Sequence, residues 1–94
     1  MSNIRIDNPH NNYILLDAIG EGAYGVVYRA RKTNNGLIVA VKVIPLAEED
    51  DSDRIIQDEM KSMISFRSPF VNEIYECFNC NREIWIVMVC TCFV

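Results

Sequence analysis

The sequence has no excess of basic residues: 9 lysines and arginines stand against 13 aspartates and glutamates, a formal net charge of -4 at pH 7. Nucleic acids and anionic bilayers are held by a basic face that releases counterions, so neither is an expected partner. No apolar run comes near the roughly 20 residues needed to cross a bilayer. The apolar tail, Ile84 to Val94, is too short to serve as an anchor, and Thr91 stands where a prenylation signal would have cysteine. The asparagine-rich start, Met1 to Asn12, has no apolar core of a secretory signal, so an intracellular, cytoplasmic chain is expected. Internal repeats and low-complexity tracts are absent as well.

Cysteine is present in a pattern that invites a metal: Cys77 and Cys80 form C-x-x-C, and Cys90 and Cys92 form C-x-C. Geometry argues against zinc. If Ile74 to Phe78 and Ile84 to Val89 pair as a hairpin, the first two cysteines lie near its turn and the last two past its far end. At about 3.3 Å per residue that separates the pairs by roughly 15 Å, whereas thiolates sharing one zinc each lie within about 2.3 Å of it. Reduced, partly buried thiols are the expected state, and no metal ligand is assigned.

The chain of 94 residues, 50% of them hydrophobic, suffices for one small domain. A domain of this size buries only about 60 to 68% of its unfolded surface, so modest stability is expected. Its most informative stretch is Ile19-Gly20-Glu21-Gly22-Ala23-Tyr24-Gly25-Val26-Val27, followed by Ala40-Val41-Lys42. Three glycines spaced G-x-G-x-x-G let backbone N–H groups approach an anion with no Cβ in the way, which suits a phosphate. The same spacing opens dinucleotide-binding folds, where a helix follows the last glycine. Here Val26-Val27-Tyr28-Arg29-Ala30 follows, a β-branched and aromatic run, so a strand leaves the loop.

The rest of the chain reads in order. Tyr13 to Ile19 is a strand after a polar, mobile lead-in over residues 1–12. Val26 to Arg31 is the second strand, Thr33-Asn34-Asn35-Gly36 is a turn that tolerates positive φ, and Leu37 to Ile44 is the third strand, ended by Pro45. The acidic run from Glu48 to Asp53 is a solvated loop, with a helix cap at Asp51 or Ser52. Between Asp53 and Phe66, Ile55, Ile56, Met60, Met63 and Ile64 recur at helical spacing, and Ser68-Pro69 stops the helix. Ile74 to Phe78 and Ile84 to Met88, around Asn79-Cys80-Asn81-Arg82, complete a five-stranded antiparallel sheet.

Two charged residues fall inside apolar surfaces. Glu59 sits in the helix stripe, four residues after Ile55 and four before Met63. Lys42 shares a strand face with Ala40 and Ile44. Singly, each has an ordinary explanation, a snorkelling lysine or a carboxylate at the stripe's rim. A buried carboxylate needs a cation, however, and Lys42 is the obvious one. With the glycine loop, the two make one phosphate-holding arrangement in which the carboxylate aims the lysine.

From Tyr13 to Met88 the chain resembles the eukaryotic protein kinase family. Gly20, Gly22, Gly25 and Val27 match its glycine loop, Ala40 and Lys42 match V-A-I-K as V-A-V-K, and Glu59 matches the helix glutamate. Ser68-Pro69-Phe70-Val71 and Ile84-Trp85-Ile86-Val87-Met88 look most like the sterile-twenty-like serine/threonine kinases. The resemblance implies an α+β, protein-kinase-like N-lobe over residues 13–88, with an atypical apolar tail over 89–94 at the hinge position. It implies that Lys42 and Glu59 are catalytic, and that ATP is bound by residues 19–27, Ala40, Lys42, Met88, Val89 and Thr91. Ile19, Val27 and Ala40 would enclose the adenine, with Met88 behind it, and the backbones of Val89 and Thr91 would meet its edge. Met63 and Ile74 would belong to the apolar column that joins the two lobes.

The chain also departs from the family. An acidic residue and then an aromatic one usually follow the Met88 position, and Asn72 stands in place of an aliphatic residue. The H-R-D, D-F-G and A-P-E motifs of the C-terminal lobe are absent from these 94 residues. Mg²⁺ is expected only together with that lobe. The function expected is the ATP-binding part of a truncated serine/threonine kinase that phosphorylates protein hydroxyls. The alternative is a non-catalytic, nucleotide-binding or kinase-interacting fragment. Self-association through the uncovered lobe face is expected in either case.

Overall fold

The computed structural model describes residues 4–21, 25–65 and 71–90, without the side chains of 60–65, 71–73 and 90. The strands are β1 (Ile4–Arg5), β2 (Tyr13–Glu21), β3 (Val26–Lys32), β4 (Ile38–Pro45), β5 (Val71–Cys80) and β6 (Glu83–Cys90). One helix, α1 (Ser52–Ser65), lies between β4 and β5, and a short 3₁₀ turn, Pro9–Asn11, precedes β2. The strands form one sheet in the order β1-β5-β6-β4-β3-β2. Every pairing is antiparallel except β1 with β5.

Local chemistry fixes the connections. Gly36 closes the β3–β4 turn with φ of 73°, a value its missing Cβ allows. The β5–β6 turn is tighter. Asn81 and Arg82 both have positive φ, 53° and 61°, which matches the twist of a two-residue hairpin. The helix begins as its acidic approach suggests: Asp51 Oδ1 accepts from the Arg54 N–H at 3.3 Å and the Asp51 carbonyl from Ile55 N–H at 3.1 Å. Asp51 is therefore the cap.

The sheet has an apolar cluster on each face. Tyr13, Ala30, Val39, Val41, Phe78, Trp85 and Val87 make one. Ala40, Ile44, Ile56, Cys77, Ile84, Ile86 and Met88 make the other, with Val27 and Ile55 packed against it. Period-two alternation along β4 and β6 produces this division, since neighbouring residues point to opposite faces. Helix α1 brings Ile55 and Ile56 to the second cluster.

Within the expected mobile lead-in, Ile4 and Arg5 instead join the sheet, and the five strands become six. Ile4 and Arg5 pair with Cys77 and Phe78. Arg5 lies over the Phe78 ring, 4.9 Å from its centroid, and bonds to Asp7 at 2.7 Å and Glu76 at 3.0 Å. The Tyr13 hydroxyl donates to the other oxygen of Glu76, and His10 meets Trp85 edge-on at 4.7 Å. Polar composition suggested a free segment, but its contacts are those of a strap. Its arginine has carboxylates to bond and its histidine an indole to meet, so ordering it returns interaction energy.

Candidate functional site

The site's face of the sheet is organised by one row of partners: Gly20 opposite Val27, Val27 opposite Lys42, Lys42 opposite Ile86 and Ile86 opposite Cys77. Residues directly opposite one another share a face, so the start of the glycine loop on β2 and the lysine on β4 lie on one surface, with Val27 of β3 between them. A second row, Arg29, Ala40, Met88 and Ile74, runs beside it. Ala40 is 2% exposed and Met88 5%.

Lys42 Nζ donates to Glu59 Oε2 at 2.8 Å, with the two side chains 15% and 6% exposed. Glu59 is the one buried charged residue among those described. Its position follows from the helix repeat: Ile55 and Ile56 bury one stripe of α1, and Glu59, one turn later, is carried inward with them. The lysine reaches it because β4 alternates Ala40, Lys42 and Ile44 towards the helix. A cation and an anion so placed hold each other's head groups still.

The glycines differ in what they permit. A Cβ on Gly20 would meet nothing within 4 Å, whereas one on Gly25 would overlap the Val43 carbonyl oxygen. Gly25 thus lets the chain descend onto β4, and Gly20 leaves its backbone open. Such openness on the face that carries the Lys42 ammonium suits an anionic ligand, and the donor set fits phosphates.

The other expected site residues fall as follows. Glu21 pairs with Val26. Ile19 is 45% exposed at a break in the β2–β3 register, and Val89 is opposite Glu73. Gly22, Ala23, Tyr24 and Thr91 lie outside the described residues, as do the side chains of Met63 and Asn72. Cys80 sits opposite Glu83 at the turn, and Cys90 opposite Val71 at the far end of the same hairpin. The cysteine ladder therefore runs the length of the strands. Cys77 is wholly buried, and that burial pushes its thiol up to about 11.

Sequence reasoning missed a cross-strand ion pair near the loop: Arg29 Nε donates to Asp17 Oδ1 at 2.7 Å. Opposite charges at matching positions of a hairpin are a readable signal. A bulge between Leu15 and Asp17 shifts the register by one residue and obscured it.

The chain belongs to the protein kinase family: the family model described as the protein kinase domain matches residues 13–92. Serine/threonine-protein kinase 4 homolog A of Dictyostelium discoideum is 31% identical to it over 81 residues, which is 86% of this chain and 17% of that protein. That relative agrees with the sterile-twenty-like texture of the sequence. A twitchin kinase fragment from C. elegans, an autoregulated protein kinase with immunoglobulin domains, superposes with a TM-score of 0.70 at 24% identity. The alignment covers 93% of this chain and 19% of that one, and at this identity it shows the fold. The region represented is the N-terminal lobe.

Proposed function

We propose that this chain binds ATP on the face of Lys42 and supplies the nucleotide-holding half of a serine/threonine kinase that phosphorylates protein hydroxyls. The observation that carries this reading is the buried 2.8 Å contact between Lys42 and Glu59, with Val27 on the neighbouring strand and Gly20 on the strand beyond it in the same row. ATP when bound supplies the phosphoryl group. The chain's own part is to hold its phosphates by the Lys42 ammonium, kept pointing outward from the sheet by Glu59. The open backbone of Gly20 offers room for phosphate oxygens. Val27, Ala40, Met88 and Ile19 offer an apolar surface for the base, and Val89 a backbone edge.

Because the chain spans 17% of its curated relative, the activity of a whole kinase is proposed from family membership. These residues contain no H-R-D or D-F-G, and phosphoryl transfer requires groups that hold Mg²⁺ and orient the nucleophile. Titration of the labelled chain with ATP, followed by amide chemical shifts, tests the first step. Saturable shifts at Gly20, Val27 and Lys42 that vanish in Lys42→Met are expected. Shifts confined to other surfaces, or undiminished in that variant, would remove the nucleotide from this face.

A further inference from the structure

Two register breaks interrupt β2 against β3. Leu16 is extra between the pairs Leu15–Ala30 and Asp17–Arg29, and Ile19 is extra between Ala18–Tyr28 and Gly20–Val27. Only two pairs, Asp17–Arg29 and Ala18–Tyr28, lie between the breaks, and the strand leads from there directly into the glycine loop. So short a stretch specifies its register weakly by backbone bonding, and a bulge is itself a stored one-residue offset. A slip of one residue would move Gly20 by about 3.4 Å along β3 and turn its peptide away from the Lys42 row.

One side-chain contact exists in the observed register alone: the Arg29 guanidinium bonds to the Asp17 carboxylate at 2.7 Å, with side chains 45% and 53% exposed. Alternation from Val27 puts Arg29 on the site's own face, and its β4 partner is Ala40. We propose that Asp17 and Arg29 are positioning residues that lock the β2–β3 register and so hold Gly20 in the cross-strand row of Val27 and Lys42. The pair touches no reacting atom; it fixes where the backbone donors stand. Its consequence for ATP rests on the function proposed above, whereas the lock itself does not.

The two parts separate experimentally in the full 94-residue chain. Amide hydrogen exchange of the β2–β3 bonds is compared with that of the central β4–β6 bonds in Asp17→Asn, in Arg29→Gln and in the exchanged pair Asp17→Arg with Arg29→Asp. Exchange across the Gly20–Val27 and Glu21–Val26 pairs should quicken about two- to five-fold in each single variant, the range open to an exposed ion pair. The central bonds should be unchanged, and the exchanged pair should restore protection. Unchanged exchange in the single variants, or failure of the exchanged pair to restore it, overturns the lock. In an ATP titration the single variants should weaken binding, in proportion to the fraction of chains out of register, and the exchanged pair should recover it. Unaltered affinity despite faster exchange overturns the positioning role. Should the unmodified chain bind no ATP, the nucleotide reading fails, and the exchange comparison still decides the lock.

Discussion

At the scale of single residues, the Lys42–Glu59 pair carries both the site and a stability cost. Lys42→Met leaves the carboxylate 6% exposed without its cation, a change expected to destabilise the chain by about 2 to 4 kcal/mol near neutral pH. Glu59→Gln keeps the shape but leaves the Lys42 ammonium without its carboxylate; that head group is the more exposed of the two, at 15% against 6%, and can turn to solvent, so the loss should be smaller, about 1 kcal/mol. ATP affinity should fall in both variants, as calorimetry and thermal melting of the two would show. Equal destabilisation by both would mean that packing and not charge governs the position. A separate expectation concerns base. Burial raises Cys77 to about 11, and burial followed by the bond to Glu76 raises Tyr13 well above the phenol range. Both groups fold as neutral acids with raised values, so their contribution is complete below the unfolded values near 9 and 10 and is lost as pH climbs towards the folded ones. Melting temperature should therefore fall between pH 8.5 and 11, by about 5 °C or more, and Cys77→Ala should flatten the first part of that fall.

At the scale of elements, much of this architecture was legible because it rests on local rules. The glycine spacing and the β-branched run after it separated a hairpin from a helix, and the 3.6-residue repeat carried Glu59 inward with Ile55 and Ile56. The strap was not legible. Its placement depends on Arg5 finding Glu76 and on His10 finding Trp85, contacts across 71 and 75 positions of sequence that no local pattern encodes. Bulges were equally hidden, since Leu16 and Ile19 look like ordinary strand residues. The β5–β6 turn was located but its conformation was not, for arginine is an unusual residue at φ of 61°. That gives a test. Relieving the left-handed strain with Arg82→Gly should stabilise the hairpin by about 0.5 to 1 kcal/mol, measured by denaturant unfolding; a loss would show that the Arg82 side chain supports the turn.

At the scale of the whole molecule, a sheet has two edges, and this one treats them differently. Ile4 and Arg5 cover part of β5, whereas β2 is the last strand in the order and carries Ile14, Leu16 and Ile19 at 43%, 42% and 45% exposure. An uncovered strand with apolar side chains is a template for another chain, and its bulges only partly blunt that. We therefore expect the purified chain to self-associate, and Leu16→Lys to reduce the association as seen by light scattering. A stable monomer would show the edge to be adequately protected. Phosphoryl transfer is a different matter, independent of assembly. Even with ATP held at Lys42, positioning of Mg²⁺ and of the accepting hydroxyl takes carboxylate and amide groups opposite the phosphates, and no carboxylate, amide or histidine follows Met88 in the sequence. The 94 residues alone should leave a radiolabelled γ-phosphate untransferred to protein at any protein concentration. Incorporation that disappears in Lys42→Met would show that this lobe, or an assembly of its copies, supplies those groups from residues preceding Met88.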